Sequence, residues 1–193
     1  MPRFRLATTL LFTALTVPAV STQSQEPKAP VPAQYAATAI GESGAIAGRT
    51  FNMNIYIQGT TSNGDVDELI GILKQKGQDG VVSKLEDSKD LGRVAPTGSV
   101  GTGMRFVRIR PTINGGLHIV MATNRPISFP ELWNGTRSRD YPIGIVVLDV
   151  DRDGKGSGSF APLCKVRFNK KGELEIENYG QKPFRLANVY REK

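Results

Sequence analysis

Between Phe51 and Gln58 apolar and polar residues alternate, with Phe51, Met53, Ile55 and Ile57 against Asn52, Asn54, Tyr56 and Gln58. A period of two predicts a strand with one face buried. The period then lengthens. Val66, Leu69, Ile70 and Leu73 fall on one face of a helix, and Asp65 with Glu68 has capping-box spacing, each side chain serving backbone N–H groups of the first turn. Gly77 suits a left-handed helix stop. Asp79, Val82, Leu85 and Leu91 predict a second short helix closing near Gly92, so the two form a helical hairpin inserted after the first strand.

From Met104 the period returns to two. Met104 to Arg110 and Leu117 to Ala122 read as strands joined across Asn114, Gly115 and Gly116, residue types that accept the positive φ of a tight turn. Ile143 to Leu148 is apolar almost throughout, which predicts a central strand covered on both faces, the helical pair supplying one cover. Phe184 to Tyr190 supplies a last strand.

The hairpin between them can be taken to its register. Cys164, Val166 and Phe168 alternate in one strand, Leu174 and Ile176 in the next. The register must bring all five to a single face, and pairing Asn169 with Glu173 does so, leaving Lys170, Lys171 and Gly172 as a three-residue loop. The other face then sets Arg167 across from Glu175 and Lys165 across from Glu177, pairs that contribute about 0.2–1 kcal/mol each. The elements together predict an α+β fold: an antiparallel β meander of six to seven strands, curled into a half-barrel or sandwich, with the helical hairpin inserted.

The start of the chain has another character. Arg3 and Arg5 precede an uncharged run from Leu6 to Val20, and small residues at Ala19 and Ser21 allow cleavage. This is the pattern of a signal peptide over residues 1–21, too short to span a bilayer, which needs about 20 consecutive apolar residues. The expectations are export by the general secretory route to the periplasm or the medium, and no membrane span in the mature chain. Residues 22–44, rich in Gln, Pro, Ala and Ser, read as a flexible linker, and 45–193 as a single domain.

Charge and cysteine content narrow the chemistry. The formal charge is +7, of which Arg3 and Arg5 belong to the leader. Cations and carboxylates interleave along the whole chain instead of gathering on one face, which disfavours a nucleic-acid partner. Cys164 is the only cysteine; no internal disulfide can form, and its place on an apolar strand face predicts a buried, inert thiol. His118 is the only histidine, so a two-histidine zinc motif is excluded, and its position on a strand favours a structural role. Gly98, Gly101 and Gly103 lack the following helix of a phosphate-cradling loop and read as a flexible connector.

Two stretches carry candidate chemistry. Asp149, Asp151 and Asp153 before Gly154 resemble an oxygen-coordinating calcium loop, but its twelfth place is Phe160 where a bidentate Glu is needed, and a strand precedes it. A plain acidic hairpin turn is the leading reading, and a weak calcium site in an extracellular module the second. The other stretch is the long irregular run from Asn124 to Pro142. It contains Asn124, Arg125, Glu131, Trp133, Arg137, Arg139, Asp140 and Tyr141, a mixture suited to holding a polar or aromatic ligand, or to plugging the end of a sheet.

Around this run the strings Ala122 to Phe129, Trp133–Asn134, Arg137 to Pro142, Glu175 to Gly180 and Arg185 to Val189 resemble a family of bacterial exported proteins of unknown function, over about residues 65 to 190. The resemblance implies one domain and bacterial export, and supplies no catalytic residue. The expected function is therefore a non-catalytic binding or interaction domain for a small molecule, a glycan or a protein, with no cofactor unless the aspartates hold calcium. The alternative is a hydrolase that uses Glu131 and Asp140 as acid and base.

Overall fold

A computed structural model describes residues 31–127, 140–180 and 182–192. The signal peptide 1–21 and the start of the linker lie outside the described residues. Among the described residues ten strands, a short 3-10 turn and one α-helical element follow in order: β1 (Ala33–Ile40), the 3-10 turn (Gly44–Ile46), β2 (Thr50–Ile57), α1 (Asn63–Glu86), β3 (Gly92–Pro96), β4 (Thr102–Met104), β5 (Phe106–Pro111), β6 (Leu117–Thr123), β7 (Ile143–Val150), β8 (Lys155–Phe168), β9 (Leu174–Asn178) and β10 (Phe184–Arg191).

All pairings are antiparallel, and the sheet runs β4-β3-β2-β1-β10-β8-β7-β6-β5, with β9 added to β8. Its two end strands, β4 and β5, are consecutive pieces of chain separated by Arg105 alone. Arg105 N–H donates to Ala122 O (2.9 Å), Leu91 N–H to Met104 O (2.8 Å) and Thr61 N–H to Val107 O (2.8 Å). These bonds draw the ends together into a nearly closed barrel, which leaves few unpaired edge groups. The meander was expected to be a half-barrel or sandwich of six to seven strands; ten strands and near closure replace that expectation.

The first strand was illegible for a physical reason. β1 falls inside the expected linker 22–44, and its inward residues are Tyr35, Ala37 and Ala39, all buried. Alanine carries little hydrophobic signal and is depleted in strands. Here small side chains leave room for the large ones opposite, among them Met53, Phe160 and Phe184, whose rings stack at 5.6 Å between the two phenylalanines. The interior is filled with such residues, including Ile55, Ile57, Met104, Val107, Ile119, Met121, Val146 and Leu148.

A second apolar layer lies outside the barrel wall. Ile143, Ile145, Ala161, Cys164 and Val166 are buried against Leu73 and Val82 of α1, together with Val120, Ala122 and Val147. β7 thus serves two cores by alternation, Val146 and Leu148 inward and Ile143 and Ile145 under the helix. This is the double cover its unbroken apolar run predicts.

One helical element stands where a hairpin of two helices was expected. Gly77 takes φ 69° and ψ −164° inside it, a left-handed value only glycine adopts cheaply. The element bends there, so Lys84 Nζ reaches Glu68 Oε1 at 2.8 Å although 16 residues separate them; along a straight helix that separation spans about 24 Å. The cap also sits earlier than the sequence suggested. Ser62 Oγ accepts from Asp65 N–H (3.1 Å), which releases Glu68 for Lys84. The element ends at Glu86, and Gly92 opens β3.

The β8–β9 register is as derived: Val166 opposite Ile176, Arg167 opposite Glu175, Lys165 opposite Glu177, with Gly172 at φ 78°. One detail differs. Arg167 serves both acids, Nε to Glu175 at 3.1 Å and Nη2 to Glu177 at 3.6 Å.

Candidate functional site

The loop from Asn124 to Pro142 leaves β6 and returns to β7. Glu131, Trp133, Arg137 and Arg139 lie outside the described residues. Of the rest, Asn124 and Arg125 follow the end of β6, and Asp140 and Tyr141 lead into β7. These two ends meet different surroundings.

Arg125 lines a cleft of about 390 Å³ with Gln58, Asp90, Gly92, Arg93, Val100, Gly101 and Gly103. The β3–β4 hairpin builds most of it. Arg93 and Gly103 are directly paired across that hairpin, and a side chain at Gly103 would collide with the Asp90 carboxylate, so glycine lets the acid lie against the sheet. Gly98 and Gly101, expected to be a flexible connector, take φ 84° and 78° in the hairpin turn. The Arg93 guanidinium lies over the Tyr56 ring at 4.7 Å, which fixes its plane. Asp90 is held by Arg105 Nε at 3.3 Å, and Arg105 Nη1 also donates to the last carbonyls of α1, Leu85 O (3.0 Å) and Glu86 O (2.5 Å). A cation at that end satisfies carbonyls that lack helical partners. One residue at the β4–β5 junction therefore ties barrel, helix and cleft together. Sequence patterns gave no signal for Asp90, Arg93 or Arg105, because each acts through a partner distant in sequence.

Asp140 and Tyr141 belong to another network. Gln78, directly after the bend in α1, donates from Nε2 to Asp140 O (2.9 Å) and accepts at Oε1 from Val166 N–H (3.4 Å). Its amide stands in for a strand where β8 runs past the start of β7. Tyr141 OH donates to Glu177 Oε1, which together with burial holds the phenol above its ordinary pKa. Its ring meets Tyr179 edge-on at 5.0 Å. The Asp140 side chain is exposed, and Glu131, the carboxylate expected to act with it, lies outside the described residues.

The three aspartates do not converge. Asp149 Oδ1 bonds His118 Nδ1 at 2.6 Å across β6 and β7. Asp151 Oδ1 accepts from the N–H groups of Asp153 and Lys155, both at 2.9 Å. Asn169 makes the same turn, its Oδ1 accepting from Lys171 N–H (2.9 Å) and Glu173 N–H (3.0 Å). An uncharged amide thus does the work of Asp151 in a turn of the same build. Among the described residues no group of three or more His, Cys, Asp or Glu is placed to hold a metal ion.

Cys164 is fully buried, its Sγ–H donating to Ile143 O at 3.2 Å, and burial pushes the thiol up to about 12. No described helix is long and apolar enough to cross a membrane. Comparisons with protein-family models, curated proteins and solved structures found no match to this chain.

Proposed function

We propose that this chain is an exported, non-catalytic binding module that holds its ligand on the outer wall of the barrel, in the cleft of Asp90, Arg93 and Arg125. The observation that carries the reading is the meeting of Arg125, from the end of β6, with Arg93 of the β3–β4 hairpin and Asp90 just before it, around one concavity. The packed interior supports it, because the apolar side chains of all the main strands already fill the space an internal ligand needs. Two guanidiniums beside a carboxylate suit a small molecule or glycan bearing an acidic group next to a hydroxyl. The forked guanidiniums grip the acid with paired hydrogen bonds and Asp90 accepts from the hydroxyl. Arg93, already held flat over Tyr56, loses little freedom on binding.

A thermal-shift panel of carboxylated and neutral saccharides tests this. A ligand at a hundredfold over its Kd stabilises the folded state by about 2.7 kcal/mol. Acidic members are expected to raise the Tm of the natural chain, and Arg125→Ala and Arg93→Ala are expected to weaken binding about tenfold or more. Equal responses of the natural chain and both variants would place the ligand elsewhere.

A further inference from the structure

We propose a second binding surface, separate from the cleft: the free edge of β9 accepts an extended segment in which basic and apolar residues alternate. β9 pairs with β8 alone. In this ladder Asn169 N–H bonds Glu173 O and Tyr179 N–H bonds Leu163 O, so the odd-numbered residues of β9 turn their backbone groups toward β8. Leu174, Ile176 and Asn178 therefore turn theirs outward, and among the described residues no strand meets them. The same even positions carry exposed apolar side chains: Leu174 is 57% exposed and Ile176 43%, while on β8 Val166, opposite Ile176, and Cys164, opposite Asn178, are buried under α1. An edge with open backbone groups, two bare aliphatics and no proline lacks much of the usual protection against a further strand.

Parity decides the occupant. In an antiparallel addition the outward-turned residues of both strands must face one another, so for a second copy even positions meet even and odd meet odd. In the registers that overlap the two strands most fully, Glu173, Glu175 and Glu177 would then lie opposite the same acids, and like charges directly opposite oppose pairing. A foreign strand with Lys or Arg at those places and Val, Ile or Phe between them meets carboxylates on one face and Leu174 and Ile176 on the other. β8 itself has this pattern in Lys165, Val166, Arg167 and Phe168, and pairs with β9 from the opposite side. The Glu175 and Glu177 side chains keep 44% and 40% exposure beside Arg167, so they remain accessible to a second row of cations.

The experiment titrates the full chain with three short blocked peptides: alternating Val and Lys, alternating Val and Glu, and Val and Lys in separate blocks. Anisotropy gives affinity and amide exchange gives location. The alternating Val/Lys peptide is expected to bind, to protect the amides of Leu174, Ile176 and Asn178, and to bind about tenfold tighter than either control. Ile176→Pro removes one outward N–H without removing a bond to β8 and should abolish binding, while an unchanged Arg167 amide reports an intact hairpin. Ile176→Thr keeps the backbone and should weaken binding severalfold. Absent binding, equal binding of the three peptides, protection on other strands, or dimerisation through β9 would overturn the proposal. None of these outcomes depends on whether the Arg125 cleft is occupied.

Discussion

Cys164 shows what burial does to one residue. Burial is what shifts its thiol: the cost of desolvating the thiolate charge holds it protonated to about pH 12. In the unfolded chain a thiol ionises near 8.5. Between those values the unfolded state binds fewer protons than the folded one, so this residue's contribution is full below about pH 8.5 and declines as pH rises toward 12. Tyr35, raised by burial in the barrel, adds in the same direction above its ordinary range. Denaturant melts at pH 8 and pH 10.5 are expected to show a smaller alkaline loss for Cys164→Val than for the natural chain, and alkylation of the thiol at pH 8 should require unfolding. A Cys164 alkylated at the rate of a free peptide thiol would contradict the burial.

At the level of elements, legibility followed the number of independent signals that agreed. The β8–β9 hairpin had three, from turn glycine, apolar face and cross-strand charge, and its register follows from the sequence. The turn at Asp151 is built the same way, with Gly154 at φ 77° and Asp151 N–H bonded to Lys155 O at 2.8 Å. There the hydrogen-bonding acid happened to sit among other acids, so turn and cation loop looked alike in sequence. Asp151→Asn should keep the fold within about 0.5 kcal/mol, since Asn169 performs the same task. Millimolar calcium should leave the Tm unchanged relative to chelator; a rise that Asp151→Asn abolishes would restore the metal reading. The bend of α1 was half visible. Gly77 marked the break, but only the Lys84–Glu68 contact reveals how the arms lie.

For the whole molecule, closure depends on the strand the sequence concealed. β1 pairs with β2 along all eight of its residues and with β10 on its other side. A chain starting at residue 31 should therefore melt cooperatively like the full chain. One starting at 45, the domain boundary that composition suggested, loses Tyr35, Ala37 and Ala39 from the core and opens the barrel between β2 and β10. It should show no cooperative melt by circular dichroism. The candidate site was legible only in part for a related reason. Arg125 could be singled out because it lies in a long irregular loop, whereas Asp90 and Arg93 become neighbours of it only when the two ends of the sheet are brought together.

The central claim is that ligand is held outside a filled barrel, at Arg125, Arg93 and Asp90. Amide chemical-shift mapping, with the carboxylated saccharide that most raises the Tm, tests it most directly. The account predicts perturbations centred on Arg93, Gly101, Gly103 and Arg125, lining residues of the cleft, with the inward residues Ala37, Met53, Met121 and Phe160 unmoved. Shifts centred on those inward residues would mean that the barrel opens to take its ligand inside, and would contradict it.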